Sequence, residues 1–222
     1  MVSPERLDSL QIAYVRLLAE FGIEPAAAYP HFDDLVAMYS QNHRYYHNLE
    51  HIAEVLKVAG RLRNFAENPN AVQLAAWYHD AIYDPKQRDN EAKSADFAKS
   101  VLEELGLPTT IIATVTDLIL ATAHGTLHEL TADVRVLLDA DLAILGSGET
   151  RYLRYAADIC REYAWVPDAE YATARIAVLD GFLARQRIYH TDILFLEGEG
   201  SARRNMLLER ASLTSNGTYF LM

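Results

Sequence analysis

The sequence predicts an all-α fold. Apolar residues recur at intervals of three and four through most of the chain, which is the spacing of an amphipathic helix. Glycine or proline follows several of these periodic segments, as at Gly22, Gly106 and Pro167. No two alternating segments are joined by the short turn of a β-hairpin. We therefore expect a single compact bundle of about ten helices.

Asparagine, proline and glycine divide the first part of the chain into helices. Gly22 is expected to end the first helix, and Pro30 suits the start of the second. Asn48 begins a third helix, and Asn70 can cap a fourth. The first three predicted helices span residues 4–21, residues 31–39 and a segment that carries Ile52, Val55, Leu56 and Ala59 inward.

Similar signals divide the rest of the chain. Asp89 or Asn90 can cap the fifth helix, which Gly106 ends, and Ser147 can cap the eighth. The other predicted helices span about residues 110–123, 133–145, 147–165, 168–187 and 201–211.

The segment at 71–84 is expected to form the centre of the bundle. It is apolar almost all the way round apart from Gln73, and such a helix is buried. His79 and Asp80 fall inside this predicted helix, where an unpaired polar group would cost free energy. A single hydrogen bond can satisfy His79. A divalent cation is the other candidate, because both residue types are metal ligands.

The composition excludes several classes of site. The chain has 222 residues and one cysteine, Cys160, so it can form neither an internal disulfide nor a multi-cysteine zinc site. The N-terminus lacks a signal-peptide pattern, and no segment approaches the roughly 18 apolar residues of a membrane span. We expect a cytoplasmic protein of one domain that has no membrane partner.

The formal net charge of −11 arises in the first part of the chain. Residues 1–150 hold 11 Lys and Arg against 22 Asp and Glu, whereas residues 151–222 hold 9 of each, and all of those cations are Arg. Polymeric nucleic acid is bound by basic surfaces, so we expect no such partner. Arginine binds phosphate with two parallel donors, which favours a small phosphorylated substrate.

Two pairs of residues supply further candidate metal ligands. His47 and His51 lie four apart, which puts both on one face if the helix includes them. Asp139 and Asp141 lie two apart and point in nearly opposite directions. Aliphatic residues flank Asp141, so its carboxylate needs a cation, whereas Asp139 lies beside Arg135 and can be solvated. We expect Asp141 to be a ligand, and Asp139 to lie behind the ligands or at the surface.

The ordered set of His51, His79, Asp80 and Asp141 resembles the H…HD…D signature of the HD superfamily of metal-dependent phosphohydrolases. Six segments look like one bacterial branch of predicted HD phosphohydrolases: R-Y-Y-H-N-L-E-H-I at 44–52, H-D-A-I-Y-D at 79–84, D-N-E-A-K-S-A at 89–95, A-T-A-H at 121–124, D-A-D-L-A-I-L-G at 139–146 and R-E-Y at 161–163. The resemblance implies an HD-domain core at 44–209 with the helices of 4–40 packed on it, in one domain that spans 1–222.

The resemblance also implies a divalent metal ion held by His51, His79, Asp80 and Asp141. Two imidazoles and two carboxylates suit Mn, Fe, Co, Ni or Mg, and they leave coordination positions for water and a phosphoryl oxygen. The predicted catalytic residues are Asp80, Asp84 and Glu91. For proton transfer, Glu91 is preferred over Asp84. Favourable placement at a helix N-terminus is the alternative role for Glu91.

The predicted substrate-binding residues are Arg44, His47, His124, Arg161 and Arg175. Arg44 is the first choice for phosphate, although each of the three arginines can instead form a structural ion pair. His47 and His124 would line the phosphate pocket. His124 can alternatively end a helix, or bind a second metal together with His128 or His47.

These expectations predict a hydrolase that acts on a small phosphoester, such as a nucleotide, through a metal-activated water. A di-iron HD-type oxygenase on the same bundle is one alternative, and a catalytically silent module that binds a phosphorylated metabolite is another. The physiological substrate, the choice among the metals and the oligomeric state, monomer or homodimer, stay open.

Overall fold

A computed structural model of the chain describes residues 2–123 and 129–215. These residues form ten α-helices and two short 3-10 helices, and they contain no β-strand. The predicted all-α class and helix number are therefore confirmed. None of the described helices has the length and apolarity that a membrane span needs.

The chain divides into two compact units, at 1–140 and 141–222. The prediction of one domain with a core at 44–209 stays a prediction. The helices of the first unit are α1 Pro4–Ala19, α2 Pro25–Tyr39, α3 Leu49–Arg61, α4 Pro69–Tyr78, α5 Asn90–Glu104, α6 Thr109–Ala121 and α7 Ala132–Leu142, whose last two residues are counted in the second unit, and a 3-10 helix lies at Arg63–Phe65. The second unit holds a 3-10 helix at Ala143–Gly146, α8 Glu149–Glu162, α9 Asp168–Leu183 and α10 Asp192–Ser215.

The apolar helix α4 lies at the centre of the first unit, as predicted. It packs against α1, α3, α5 and α6. Trp77 meets the rings of Tyr14 and Phe32 edge to face, at centroid distances of 5.3 and 6.1 Å. The Tyr14 and Tyr78 hydroxyl groups are hydrogen-bonded at 2.5 Å, and burial raises the pKa of Tyr14 to about 12. The centre of the unit is thus aromatic, with its buried hydroxyl groups paired and neutral.

The start of α4 differs from the prediction. Asn70 does not cap the helix, because α4 begins at Pro69 after Asn68. The buried Asp133 of α7 binds this end instead: Oδ1 accepts from the backbone N–H groups of Glu67 and Asn68 at 2.7 and 2.9 Å, and Oδ2 accepts from Asn68 Nδ2 at 2.9 Å. Asp133 therefore anchors the segment that leads into α4, through backbone donors that precede the helix, and no side chain caps the helix itself.

The second unit is built on the long helix α10, which packs against α9 and the 3-10 helix at Ala143–Gly146. It begins at Asp192, nine residues before the predicted start, although Gly198 and Gly200 lie inside it. Glu199 explains part of this extension, because its carboxylate accepts hydrogen bonds from the backbone N–H groups of Ile188 and Tyr189. Tertiary contacts outweigh the low helix propensity of glycine here.

Gly146 makes the close approach that fixes this packing. A Cβ atom on Gly146 would lie 2.8 Å from the Tyr189 hydroxyl and 3.0 Å from the Gly198 carbonyl oxygen. We expect Gly146→Ala to lower the free energy of unfolding by about 1–3 kcal/mol, since backbone must move to admit the methyl group. Urea denaturation followed by circular dichroism measures the change.

Gly181→Ala is the matched control. Gly181 lies inside α9, and a Cβ atom there would meet nothing within 4 Å. This change should raise the free energy of unfolding by about 0.5–1 kcal/mol, because alanine loses less backbone freedom on folding. A Gly146→Ala protein as stable as the wild type would contradict the packing described.

Candidate metal centre

The predicted metal ligands lie near the ends of three helices, α3, α4 and α7. Asn48 caps α3, its side chain accepting from Glu50 N at 2.9 Å, and His51 is the third residue of that helix. His79 is the C-cap of α4, and Asp80 follows it in the turn. Asp141 is the last residue but one of α7, whose first nine residues belong to the first unit.

The position of His79 and Asp80 corrects the prediction that they lie inside a helix. α4 ends at Tyr78, and the backbone then leaves the helical path. The His79 N–H still donates to the Ala75 carbonyl at 2.9 Å, but Ala81 N donates to Tyr78 O, as in a tight turn. Residues 79–84 can therefore direct side chains and carbonyl groups in directions that a continuing helix would not allow.

The imidazoles of His51 and His79 meet Asp80 at their Nε2 atoms. The two Nε2 atoms are 3.3 Å apart, and Asp80 Oδ2 lies 3.5 Å from that of His51 and 3.3 Å from that of His79. Ligand atoms about 2.1 Å from a tetrahedral metal ion are roughly 3.4 Å from one another. The separations among these three atoms therefore match those of ligands around one cation.

Asp141, on the last turn of α7, forms a second candidate group with the same two imidazoles. One carboxylate oxygen of Asp141 and one ring nitrogen each of His51 and His79 all lie within 4.8 Å of one another, so the three residues can hold a metal ion. Asp139 is completely buried, so of the two positions expected for it the one at the surface is wrong. Asp141 is only partly buried, and its choice over Asp139 as a metal ligand stays a prediction.

A backbone hydrogen bond prepares His79 to bind a cation. Its Nδ1 atom lies 3.0 Å from the Ala76 carbonyl oxygen, which can only accept, so Nδ1 carries the proton. In the neutral ring Nε2 is then the unprotonated atom, and it is the one that faces His51 and Asp80. Fixing the tautomer of a histidine ligand in this way is usual at metal sites.

The charge of Asp80 also suits a cation. Burial alone would raise its pKa, but the nearby His79, His51 and His47 rings hold the pKa of this carboxyl group well below its ordinary value. His51 and His79 are 2% and 1% exposed, whereas the Asp80 side chain is 16% exposed. The cluster thus has a buried imidazole side and a carboxylate side that solvent reaches.

His47 lies beside the cluster, and its predicted role in a phosphate pocket stays a prediction. Its ring is 5.8 Å from that of His51 and stacks on Tyr83 at 4.2 Å. Tyr46 contacts both histidine rings, at 5.0 and 4.7 Å. Tyr46 and Tyr83 are not among the predicted site residues, although both lie within the segments that carry the HD resemblance.

Arg44 lies between α2 and α3, and its side chain reaches the turn that follows α4. Its guanidinium group donates to the carbonyl groups of His47, Asp80 and Ala81 at 3.1, 2.7 and 2.8 Å, and its Nε donates to Gln41 at 3.2 Å. Arg44 is buried. Four of its donor directions point at protein acceptors, which favours a structural role over the predicted binding of phosphate.

Arg175 and Arg161 also form ion pairs within the protein. Arg175 is buried and binds Glu209 through two parallel contacts of 2.7 and 3.1 Å, and it donates to the Tyr155 hydroxyl at 3.3 Å. The structural ion pair that the sequence left open for Arg175 is therefore the arrangement observed. Arg161 is 56% exposed and lies 3.5 Å from Asp158, and its role in substrate binding stays a prediction.

Asp84 and Glu91, the other predicted catalytic carboxylates, lie before and in the first turn of α5. Asp84 Oδ1 accepts from Lys86 N at 2.9 Å, which stabilises the loop before α5. Glu91 is half-buried in the first turn of α5. Neither of their catalytic roles is tested by this geometry. His124 and His128 lie outside the described residues. The predicted roles of His124 in the phosphate pocket and in a second metal site therefore also lie outside them.

Comparison with known proteins finds no match to the chain among family models, curated protein sequences or solved structures.

The geometry predicts that Asp141 contributes to metal affinity. We expect Asp141→Asn to weaken the binding of Mn²⁺ at least about tenfold, since removal of even an indirect metal contact has effects of this size. Isothermal titration calorimetry on chelator-treated protein measures the dissociation constant. Wild-type affinity in Asp141→Asn would remove Asp141 from the centre.

Asp133→Asn is the matched control, because Asp133 is a buried aspartate on the same helix with its contacts directed at Glu67 and Asn68. It should reduce stability by about 1–3 kcal/mol and leave the dissociation constant for Mn²⁺ unchanged. Equal losses of affinity in the two variants would show that α7 acts through stability alone.

Proposed function

We propose that the chain is a metal-dependent hydrolase of small phosphoesters. The observation that carries the proposal is the meeting of two imidazole Nε2 atoms and the Asp80 carboxylate within 3.5 Å of one another, with Asp141 in the same cluster. Neutral imidazole together with carboxylate is a ligand set for Mn, Fe, Co, Ni or Mg. The resemblance of the surrounding motifs to HD phosphohydrolases supports the same activity.

The side chains of the cluster have different roles in the proposed reaction. His51 and His79 close the buried side, and Asp80 supplies a carboxylate that solvent reaches. The bound metal would polarise a phosphoryl oxygen and lower the pKa of a water molecule. The Asp80 side chain is partly exposed, so a substrate can approach a bound cation from this side. Half-buried His47, beside His51, can donate a hydrogen bond to a phosphate oxygen.

The charge distribution supports a small substrate rather than a polymer. Residues 1–150 carry twice as many acidic as basic side chains, which repels a long phosphate backbone. A mononucleotide or another phosphomonoester presents only one or two charged groups, and a bound divalent cation offsets part of that charge. We therefore expect hydrolysis of phosphomonoesters without cleavage of DNA or RNA.

A phosphatase panel tests this function. Chelator-treated protein is supplied with Mn²⁺, Co²⁺, Ni²⁺ or Mg²⁺ and given nucleoside monophosphates, sugar phosphates, an aryl phosphate and a single-stranded oligonucleotide. We expect release of inorganic phosphate from at least one monoester and none from the oligonucleotide interior. His79→Gln should reduce turnover to background, because it removes one Nε2 ligand, while Asp133→Asn retains it.

The two alternative functions give different results in the same experiment. Two irons per chain with oxygen-dependent turnover would identify a di-iron oxygenase. Saturable binding of a phosphorylated compound without turnover in any of the metals would identify a silent binding module. Efficient cutting of long DNA or RNA would contradict the substrate class proposed here.

A further inference from the structure

Arg44 joins two parts of the first unit that carry predicted metal ligands. Its Nη1 atom donates both to the His47 carbonyl, at 3.1 Å, and to the Asp80 carbonyl, at 2.7 Å, while Nη2 donates to the Ala81 carbonyl at 2.8 Å. His47 immediately precedes the N-cap of α3, so this carbonyl lies four residues before His51. One planar group therefore connects the start of α3 to the turn that contains His79 and Asp80.

The guanidinium group is itself held in place. The rings of Tyr39 and Tyr83 lie 5.1 and 5.4 Å from its Cζ atom, and Nε donates to Gln41. The Tyr39 hydroxyl also donates to the Trp77 carbonyl at 2.9 Å, at the end of α4. Arg44 is 6% exposed. A rigid fork between two rings fixes the directions of its donors more tightly than a flexible ammonium group can.

We propose that Arg44 is a positioning residue of the metal centre: its hydrogen bonds to the His47, Asp80 and Ala81 carbonyl groups hold His51 and the His79–Asp80 turn at metal-binding distance. This inference rests on the metal centre of the proposed function. It assigns Arg44 to the geometry of that centre and removes it from phosphate recognition.

The positive charge of Arg44 and its positioning role predict opposite changes in metal affinity when the residue is replaced. A cation close to a metal site opposes metal binding, so an account based on charge alone predicts tighter binding after Arg44→Met. The positioning account predicts weaker binding, because the carbonyl groups lose the donors that fix their spacing. Arg44→Lys keeps the charge but cannot present the planar set of donors, so it isolates geometry from charge.

The experiment measures the affinity for Mn²⁺ alone, without any phosphoester. Chelator-treated wild type, Arg44→Lys and Arg44→Met are titrated with Mn²⁺ by calorimetry, and circular dichroism gives the folded fraction of each. We expect both variants to bind Mn²⁺ about 10- to 100-fold more weakly per folded molecule, the range seen when support for a metal ligand is lost. If Arg44→Met does not fold, Arg44→Lys, which retains the charge, decides the result.

Arg203→Lys is the matched control. Arg203 also uses its guanidinium group on backbone carbonyls, those of Leu183, Arg185 and Gln186, and none of these residues is a predicted metal ligand. The change should lower the melting temperature and leave the dissociation constant for Mn²⁺ unchanged. This pattern separates a local effect on the centre from general destabilisation.

The remaining outcomes distinguish the two proposals. Wild-type affinity for Mn²⁺ in Arg44→Lys, or tighter binding in Arg44→Met, would overturn the positioning role. An increase in KM for a phosphoester with unchanged metal affinity would return Arg44 to substrate binding and overturn it as well. If wild type binds Mn²⁺ and hydrolyses no phosphoester, the proposed function fails, while weaker Mn²⁺ binding in the Arg44 variants would still support positioning.

Discussion

The structure depends on satisfying the backbone polar groups of one irregular turn. Residues 79–84 leave the helical path beside the core, where an unpaired carbonyl or amide group would cost free energy. Side chains from outside the turn supply the missing partners: Arg44 for Asp80 and Ala81, Ser94 for Ile82, His43 for Tyr83 and Asn90 for Asp84. The residues that hold the turn come from α5 and from the segment between α2 and α3.

This arrangement links the fold to the chemistry proposed for it. The His79 ring folds back onto the Ala76 carbonyl at the end of α4, which fixes its tautomer. The same break exposes the Asp80 and Ala81 carbonyl groups to Arg44. A helix that continued through residue 84 would use the Asp80 carbonyl in its own hydrogen bond to the N–H of residue 84. The end of α4 therefore makes this carbonyl available to Arg44.

Much of this could be predicted from the sequence, because helical periodicity and residue chemistry are local signals. They predicted the all-α class, the central place of α4 and the start of α3 at Asn48. The end of α4 and the contact of Asp133 with the segment before α4 could not be predicted, because each depends on contacts between distant segments. Arg44 was predicted to bind phosphate because a guanidinium group suits that ligand. In the structure this group donates to backbone carbonyl groups instead.

The central claim is that His51, His79, Asp80 and Asp141 surround one divalent cation. Crystals soaked in Mn²⁺ or Co²⁺ and measured at the absorption edge of the metal test it most directly. We expect one anomalous peak within about 2.0–2.5 Å of the Nε2 atoms of both His51 and His79, with carboxylate oxygens of Asp80 and Asp141 completing its ligands. An ordered site without such a peak, or a peak held by other residues, would contradict the account.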